Sequence, residues 1–332
     1  MILAGDIGGT NTRLALFTLQ GGQLRAVVEE TFASRQHASL ESVLRQFTTR
    51  HPLSIEHACF GLAGPIRQGR GEPMNLDWVV DAQQLAGALR LDAVALINDL
   101  EANAYGIAAL APEDFVTLNQ GAADAAGNAA IIAAGTGLGE AGLYWDGTAH
   151  HPFATEGGHA SFAPNSDLQA ELLHYLMQEY DHISWERVVS GPGMYNIYRF
   201  LRDTGRGEEP PWLGAEVQQD DPGQVISQAA LAGTSSLCEQ TLDLFVGAYG
   251  AEAGNLALKL MATGGMYIGG GIAPKIIKKL MDTTFLAAFT AKGRLQSLLQ
   301  DIPLRVILND RTALLGAARY AALQASDRQM RG

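Results

Sequence analysis

Gly5-Asp6-Ile7-Gly8-Gly9-Thr10-Asn11 stands near the start of the chain and runs on into the apolar stretch Leu14-Ala15-Leu16-Phe17. It reads as strand, tight glycine turn, strand. Ala134-Gly135-Thr136-Gly137-Leu138-Gly139 repeats the pattern, preceded by the apolar stretch 129–133 and followed by Gly142-Leu143-Tyr144-Trp145. Glycine permits positive φ and close approach of a ligand, so peptide N–H groups can face phosphate oxygens. Two such turns predict two halves, each presenting one phosphate loop to a shared cleft, the layout of a nucleotide-driven phosphotransferase. In the first turn Asp6, Thr10 and Asn11 flank Gly8 and Gly9 as a phosphate cradle, with Asp6 near a magnesium shell. A plain hairpin turn is the competing reading. In the second, Gly135, Thr136 and Gly137 take the cradle role.

Working outward, 332 residues leave room for two domains. A hydrophobic share of 47% and a mean hydropathy of +0.03 fit a folded, soluble chain. The net charge of −12 and pI near 5.1 speak against a nucleic-acid partner, which favours a basic face. ATP is still admissible, because magnesium and peptide dipoles handle its phosphates. Two cysteines, Cys59 and Cys238, provide neither a disulfide framework nor a tetrahedral zinc site. No leader-like segment and no apolar run of about 20 residues is seen. These features predict a reduced, cytoplasmic protein with no membrane partner.

Strand and helix patterns alternate. Strands are expected at 2–5, 13–18, 23–31, 55–61 and 94–97, with helices at 39–50, 82–89 and 99–110. After the second hairpin come helices at 167–180, 192–201 and 235–261, a strand at 266–268, a helix at 274–281, a strand at 305–308 and a helix at 312–324. The recurring order predicts an α/β fold with a duplicated half. The Gly-, Pro- and acid-rich segment 203–222 reads as an exposed excursion. Domains of 1–110 plus 311–332 and of 111–310 follow.

Asn98-Asp99 ends an apolar strand where a helix begins, the edge at which open α/β sheets bind ligands. Asp99 there reads either as a general base or as part of a helix cap. Glu156, His159 and Glu186 supply carboxylate and imidazole groups that suit a ring of sugar hydroxyls. Gly157-Gly158 disfavours a helical Glu-x-x-His metal site, and a solvated loop is the other reading. Asn75 reads as a turn former. Gly270 and Gly271, between a strand and a helix, read as an adenosine-binding turn or as an ordinary loop. No Walker A pattern, cysteine-rich zinc motif or helix-turn-helix extension is present.

Asp6-Ile7-Gly8-Gly9-Thr10-Asn11-Thr12-Arg13, Ile97-Asn98-Asp99-Leu100-Glu101-Ala102, Glu156-Gly157-Gly158-His159, Phe162-Ala163-Pro164-Asn165, Glu186-Arg187-Val188-Val189, Ser190-Gly191-Pro192-Gly193 and Gly269-Gly270-Gly271-Ile272-Ala273-Pro274 together resemble bacterial glucokinases. The resemblance covers nearly the whole chain. It implies the duplicated actin-like, ribonuclease H-like ATPase fold, with two domains flanking a cleft. It also implies phosphorylation of D-glucose at O6 by MgATP, with Asp99 as base. Sugar contacts would come from Asn98, Asp99, Glu156, His159, Glu186, Gly137 and Asn75. Asp6 would hold magnesium through water, and the chain would form a homodimer. A kinase for another hexose and a catalytically silent sugar sensor are the alternatives.

Overall fold

The first sheet grows from β1 (Ile2–Ile7), whose residues are almost all buried. Such a strand needs cover on both faces and neighbours on both edges. It has both in this computed structural model, which describes residues 1–73 and 76–331. The chain forms two units: Met1–Pro112 with Pro152–Ala154 and Asn309–Gly332, and Glu113–His151 with Thr155–Leu308.

In the first unit β2 (Asn11–Gln20) folds back antiparallel on β1, and β3 (Gln23–Ala33) on β2. Helix α1 (Leu40–Arg50) then crosses to β4 (His57–Leu62), parallel to β1. Ser39, read from sequence as helical, is instead its N-cap and accepts from the Ser42 N–H. A small sheet of β5 (Ile66–Arg67), β6 (Arg70–Gly71) and β7 (Val80–Asp81) leads into α2 (Ala82–Leu89). Strand β8 (Ala95–Asn98) pairs parallel with β4 and runs into α3 (Asp99–Ile107). The order is β3-β2-β1-β4-β8.

One face of this sheet packs Leu3, Ile7 and Phe60 with Val43, Leu44 and Phe47 of α1. The other packs Ala4, Ala15, Phe17 and Cys59 with Ala313, Leu314, Ala317, Ala318 and Ala321 of the C-terminal helix, Thr312–Arg331. The C-terminal helix therefore uses its apolar side within its own unit. It also lies against α3 so closely that a Cβ at Gly106 would overlap Thr312 O, and one at Gly316 would overlap Ala102 O.

The second unit repeats the plan. After β9 (Phe115–Asn119), β10 (Ala129–Ala134) turns back into β11 (Leu138–Trp145), followed by β12 (His150–Thr155), whose Pro152–Ala154 are grouped with the first unit. Helices α4 (Asp167–Leu176), α5 (Gly191–Asp203), α6 (Pro211–Gln219), α7 (Pro222–Leu231) and α8 (Ser236–Leu260) follow. Then come β13 (Gly265–Gly269), α9 (Ile277–Leu280), α10 (Thr283–Thr290), α11 (Gln296–Gln300) and β14 (Leu304–Ile307). The order is β12-β11-β10-β13-β14-β9. Leaving out the antiparallel edge strand β9, this matches the first sheet strand for strand. Helix α8 is its spine, with Leu242, Phe245, Val246, Tyr249 and Leu256 in the core.

Further expectations are corrected, among them the helix expected at 167–180, which ends at Leu176. Segment 203–222 is no excursion: Pro211 opens a helix whose Leu213 and Val217, one turn apart, are buried. The helix expected at 274–281 shrinks to Ile277–Leu280, because the chain spends the preceding residues in turns. The helix from Asp99 stops at Ile107, short of residue 110.

Candidate active site

The first glycine turn links the ends of β1 and β2. The Gly8 N–H donates to Asn11 O at 2.9 Å. Beneath it, Ser34 Oγ donates to Gly8 O at 2.8 Å and lies 3.0 Å from Thr12 Oγ1, while Ser34 N–H donates to Thr10 O. Thr12 and Ser34 are fully buried, so their hydroxyls must satisfy each other and the turn. The sequence does not single out Ser34, and marks Thr12 only as part of the first motif, without a role.

The expected positive φ is not used. Gly8, Gly9, Gly135 and Gly137 all stay outside the left-handed region. The absence of a side chain matters there for access, since a Cβ at Gly135 would stand in open space.

Asp6 sits opposite Arg13 in the β1–β2 register. Burial raises its carboxyl above the ordinary range, Arg13 opposes that shift and Asp310 adds to it. The Arg13 guanidinium also donates to Asp310 Oδ2 at 3.1 Å and to Asp310 O at 3.0 Å.

Asn98 is the N-cap of α3. Its Oδ1 accepts from Leu100 N at 2.9 Å and Glu101 N at 3.3 Å, while Nδ2 donates to Gly64 O at 3.1 Å. The cap reading of this boundary thus falls to Asn98. Asp99 follows as the first helical residue, half-buried, with Oδ1 accepting from Leu100 N at 3.0 Å. A helix N-terminus favours an anionic side chain at that position.

In the second unit the Gly135 N–H donates to Gly137 O at 2.8 Å, and Gly135 O accepts from Gly191 N, the first residue of α5, also at 2.8 Å. Gly270, at φ +82°, crosses Ala134 so tightly that no Cβ fits, and Ile272 N–H donates to Ala134 O at 3.2 Å. The Gly270-Gly271 turn is therefore brought beside the second hairpin turn. The Tyr249 hydroxyl accepts from Ala134 N at 3.2 Å and reaches Ile132 O and Gly269 O at 3.3 and 3.4 Å. Tyr249 is a further support that periodicity assigns only to the core.

Glu186 Oε2 accepts from Leu138 N at 2.9 Å and lies against Gly137. Gly158 is pressed onto Leu138 O, again with no space for a Cβ. The turn Gly157–His159 and the turn Trp185–Arg187 are tied by Trp185 N–H donating to Ala160 O at 3.0 Å. Gly137, Glu156, His159 and Glu186 thus gather on one patch, with Glu156 and His159 exposed to solvent. Asn75 lies outside the described residues. Among the described residues no group of three or more His, Cys, Asp or Glu side chains forms a metal cluster.

A doubled sheet of this order, carrying a glycine turn at the end of each leading strand, defines the actin-like ATPase fold of sugar kinases. The chain belongs to the glucokinase family, whose model matches residues 3–324. It is 43% identical to a glucokinase of Trichormus variabilis over 97% of this chain and 99% of that one. Identity to a Synechocystis glucokinase is also 43%, covering 96% and 97% of the two chains. The crystal structure of a glucokinase from an Antarctic psychrotroph superposes with a TM-score of 0.84 at 32% identity, covering 97% of this chain and 98% of that one. A ROK family glucokinase from Streptomyces griseus, in complex with glucose and AMPPNP, shares the fold with a TM-score of 0.65 at 19% identity, covering 97% and 99%.

Proposed function

We propose that this chain transfers the γ-phosphoryl group of ATP to the 6-hydroxyl of D-glucose, giving glucose 6-phosphate and ADP, with Asp99 as general base. The observation that carries this reading is the placement of Asp99. It is the first residue of a helix at the carboxyl end of a parallel strand, and its neighbour Asn98 does the capping. A carboxylate so placed accepts the hydroxyl proton as the sugar oxygen attacks phosphorus, while the bond to the β-phosphate oxygen breaks.

Glu156, His159, Glu186 and Gly137 are proposed to read the remaining hydroxyls. Asn98 keeps one Nδ2 hydrogen for the same purpose, since only one is committed to Gly64. Gly8 and Gly135 use their N–H groups inside their own turns. The phosphates therefore fall to the amides of Gly9, Thr10, Thr136 and Gly137, with Thr10 and Asn11 side chains beside them. Gly270 and Gly271 would take the adenosine.

Asp6 is a single carboxylate beside the first turn, and magnesium is habitually held by one or two carboxylates together with substrate phosphates and water. When bound, magnesium neutralises charge on the β- and γ-phosphates. Arg13, across the ladder from Asp6, fixes the charge balance at that strand end.

A cytoplasmic setting and a homodimer belong to the same reading. Both cysteines are free and buried, in keeping with a reducing compartment, and no helix of the described residues is long and apolar enough to cross a membrane. Sedimentation tests the dimer. For the activity, ATP-dependent turnover of glucose, fructose, mannose and N-acetylmannosamine with magnesium is decisive. Preference for glucose is expected; preference for another hexose overturns the pocket assignment, and no turnover of any favours a silent sensor.

A further inference from the structure

Glu140 is a carboxyl group the chemistry above does not use. It lies three positions beyond Gly137 on β11, with 1% of its surface exposed. Thr155 Oγ1 donates to Glu140 O at 2.9 Å and accepts from Gly157 N at 3.2 Å. The side chain itself is packed against Gly157, where any Cβ would overlap Oε2. The other carboxyl oxygen, Oε1, is buried without a hydrogen-bond partner among the described residues.

Helix α8 closes the site from the opposite side. It presents Glu252, fully buried, within hydrogen-bonding reach of Glu140. Glu252 accepts from Asn255 Nδ2 at 2.8 Å and Lys259 Nζ at 3.2 Å. Lys292 stands behind, donating to Asn255 Oδ1 at 2.6 Å and Ala251 O at 2.9 Å. Tyr249 feels the charge of Glu140, with its hydroxyl engaged by the β10 and β13 backbone.

We propose that Glu140 is a positioning residue for the sugar: packed beside the buried Glu252, it fills the space beneath Gly157 and holds the Glu156–His159 turn in its binding conformation. This rests on the reading of Glu156 and His159 as sugar contacts. Burial first, and then the neighbouring Glu252, push the Glu140 carboxyl well above its ordinary range, against the pull of Lys259. Burial raises the Glu252 carboxyl as well, so the pair gives up its shared proton only above the usual carboxylate range. Above that range two buried carboxylates face each other, and Glu140 oxygens lacking a donor press on Gly157. The turn is the part free to yield, because its outer side faces solvent.

The test is glucose KM and kcat from pH 6.5 to 9 for the wild-type chain and Glu140→Gln, with Glu156→Ala and His159→Ala at pH 7. Wild-type glucose KM is expected to rise about tenfold between pH 7 and pH 9, with kcat and ATP KM changing far less. Glu140→Gln, which cannot ionise, flattens the rise. A flat wild-type profile, or the same rise in Glu140→Gln, overturns the inference. If Glu156→Ala and His159→Ala leave glucose KM unchanged, the sugar-contact reading fails instead. As a second measurement, Gly157→Ala is expected to raise glucose KM strongly with Glu140 present and weakly in Glu140→Ala. Equal effects in both backgrounds count against the packing on which the proposal stands.

Discussion

Glu186 Oε2 takes the Leu138 N–H at 2.9 Å, so a carboxylate assigned to the sugar is anchored on the turn assigned to the phosphates. Glu186→Ala removes that acceptor and leaves a half-buried N–H to find water, at about 1–2 kcal/mol. Roughly a tenfold loss in kcat/KM is expected, visible in the constants for both glucose and ATP. Glu186→Gln keeps an acceptor and should recover the ATP term better than the glucose term. Effects confined to glucose would disconnect the two roles.

Asn98 and Asp99 are adjacent yet separable. Asp99→Asn should lower kcat by about 10² to 10⁴-fold, the usual worth of a general base, with little change in thermal stability. Asn98→Ala removes the α3 cap and should cost about 1–2 kcal/mol of stability. Activity assays beside thermal denaturation of the two variants check this. A kcat for Asp99→Asn near wild type would remove Asp99 as the base.

Ser34→Ala leaves Gly8 O and Thr12 Oγ1 without their buried partner. Loss of about 1–3 kcal/mol is expected, together with a higher KM for ATP as the first turn loosens. Glucose KM should move less. Isothermal titration with an ATP analogue reads this directly.

Gly316→Val forces the C-terminal helix away from the Ala102 carbonyl of α3. Overpacking of this kind costs about 1–3 kcal/mol or more. A calorimetric scan is expected to show an earlier transition. An unchanged scan would mean that the two helices part without penalty.

Glu140 also sets a pH trend in stability. Burial beside Glu252 holds its carboxyl above the ordinary range, so the folded chain keeps a proton at pH values where the unfolded chain has released it. Its contribution is complete below the unfolded value and is lost as pH rises through the folded one. Glu140→Gln should therefore gain melting temperature over wild type on going from pH 5 to pH 8. Parallel curves for the two chains would contradict this.

Sequence reached some of these features and not others, for physical reasons. Helix α2 was readable from 82 to 89 because Asp81 caps it and its apolar residues recur at helical spacing. Both glycine turns were readable from the apolar strands around them. Segment 203–222 misled because Gly, Pro and acidic residues hide the single pair Leu213 and Val217 that makes α6 amphipathic. Ser34, Tyr249 and Glu140 act on turns 26, 115 and 17 positions away, respectively. Such pairings depend on which strands become neighbours, and no local pattern encodes that.

The Tyr249 hydroxyl sits where the parallel seam of β10 and β13 would otherwise continue, touching Ala134 N, Ile132 O and Gly269 O. One oxygen atom thus ties together two strands at the end of their pairing, next to the points where the Gly135 and Gly270 turns leave them. The proposed nucleotide turns are in this sense gauged from behind, by a helix residue that need never meet the ligand. Exchanging that residue for phenylalanine would alter the caliper while leaving every loop residue in place.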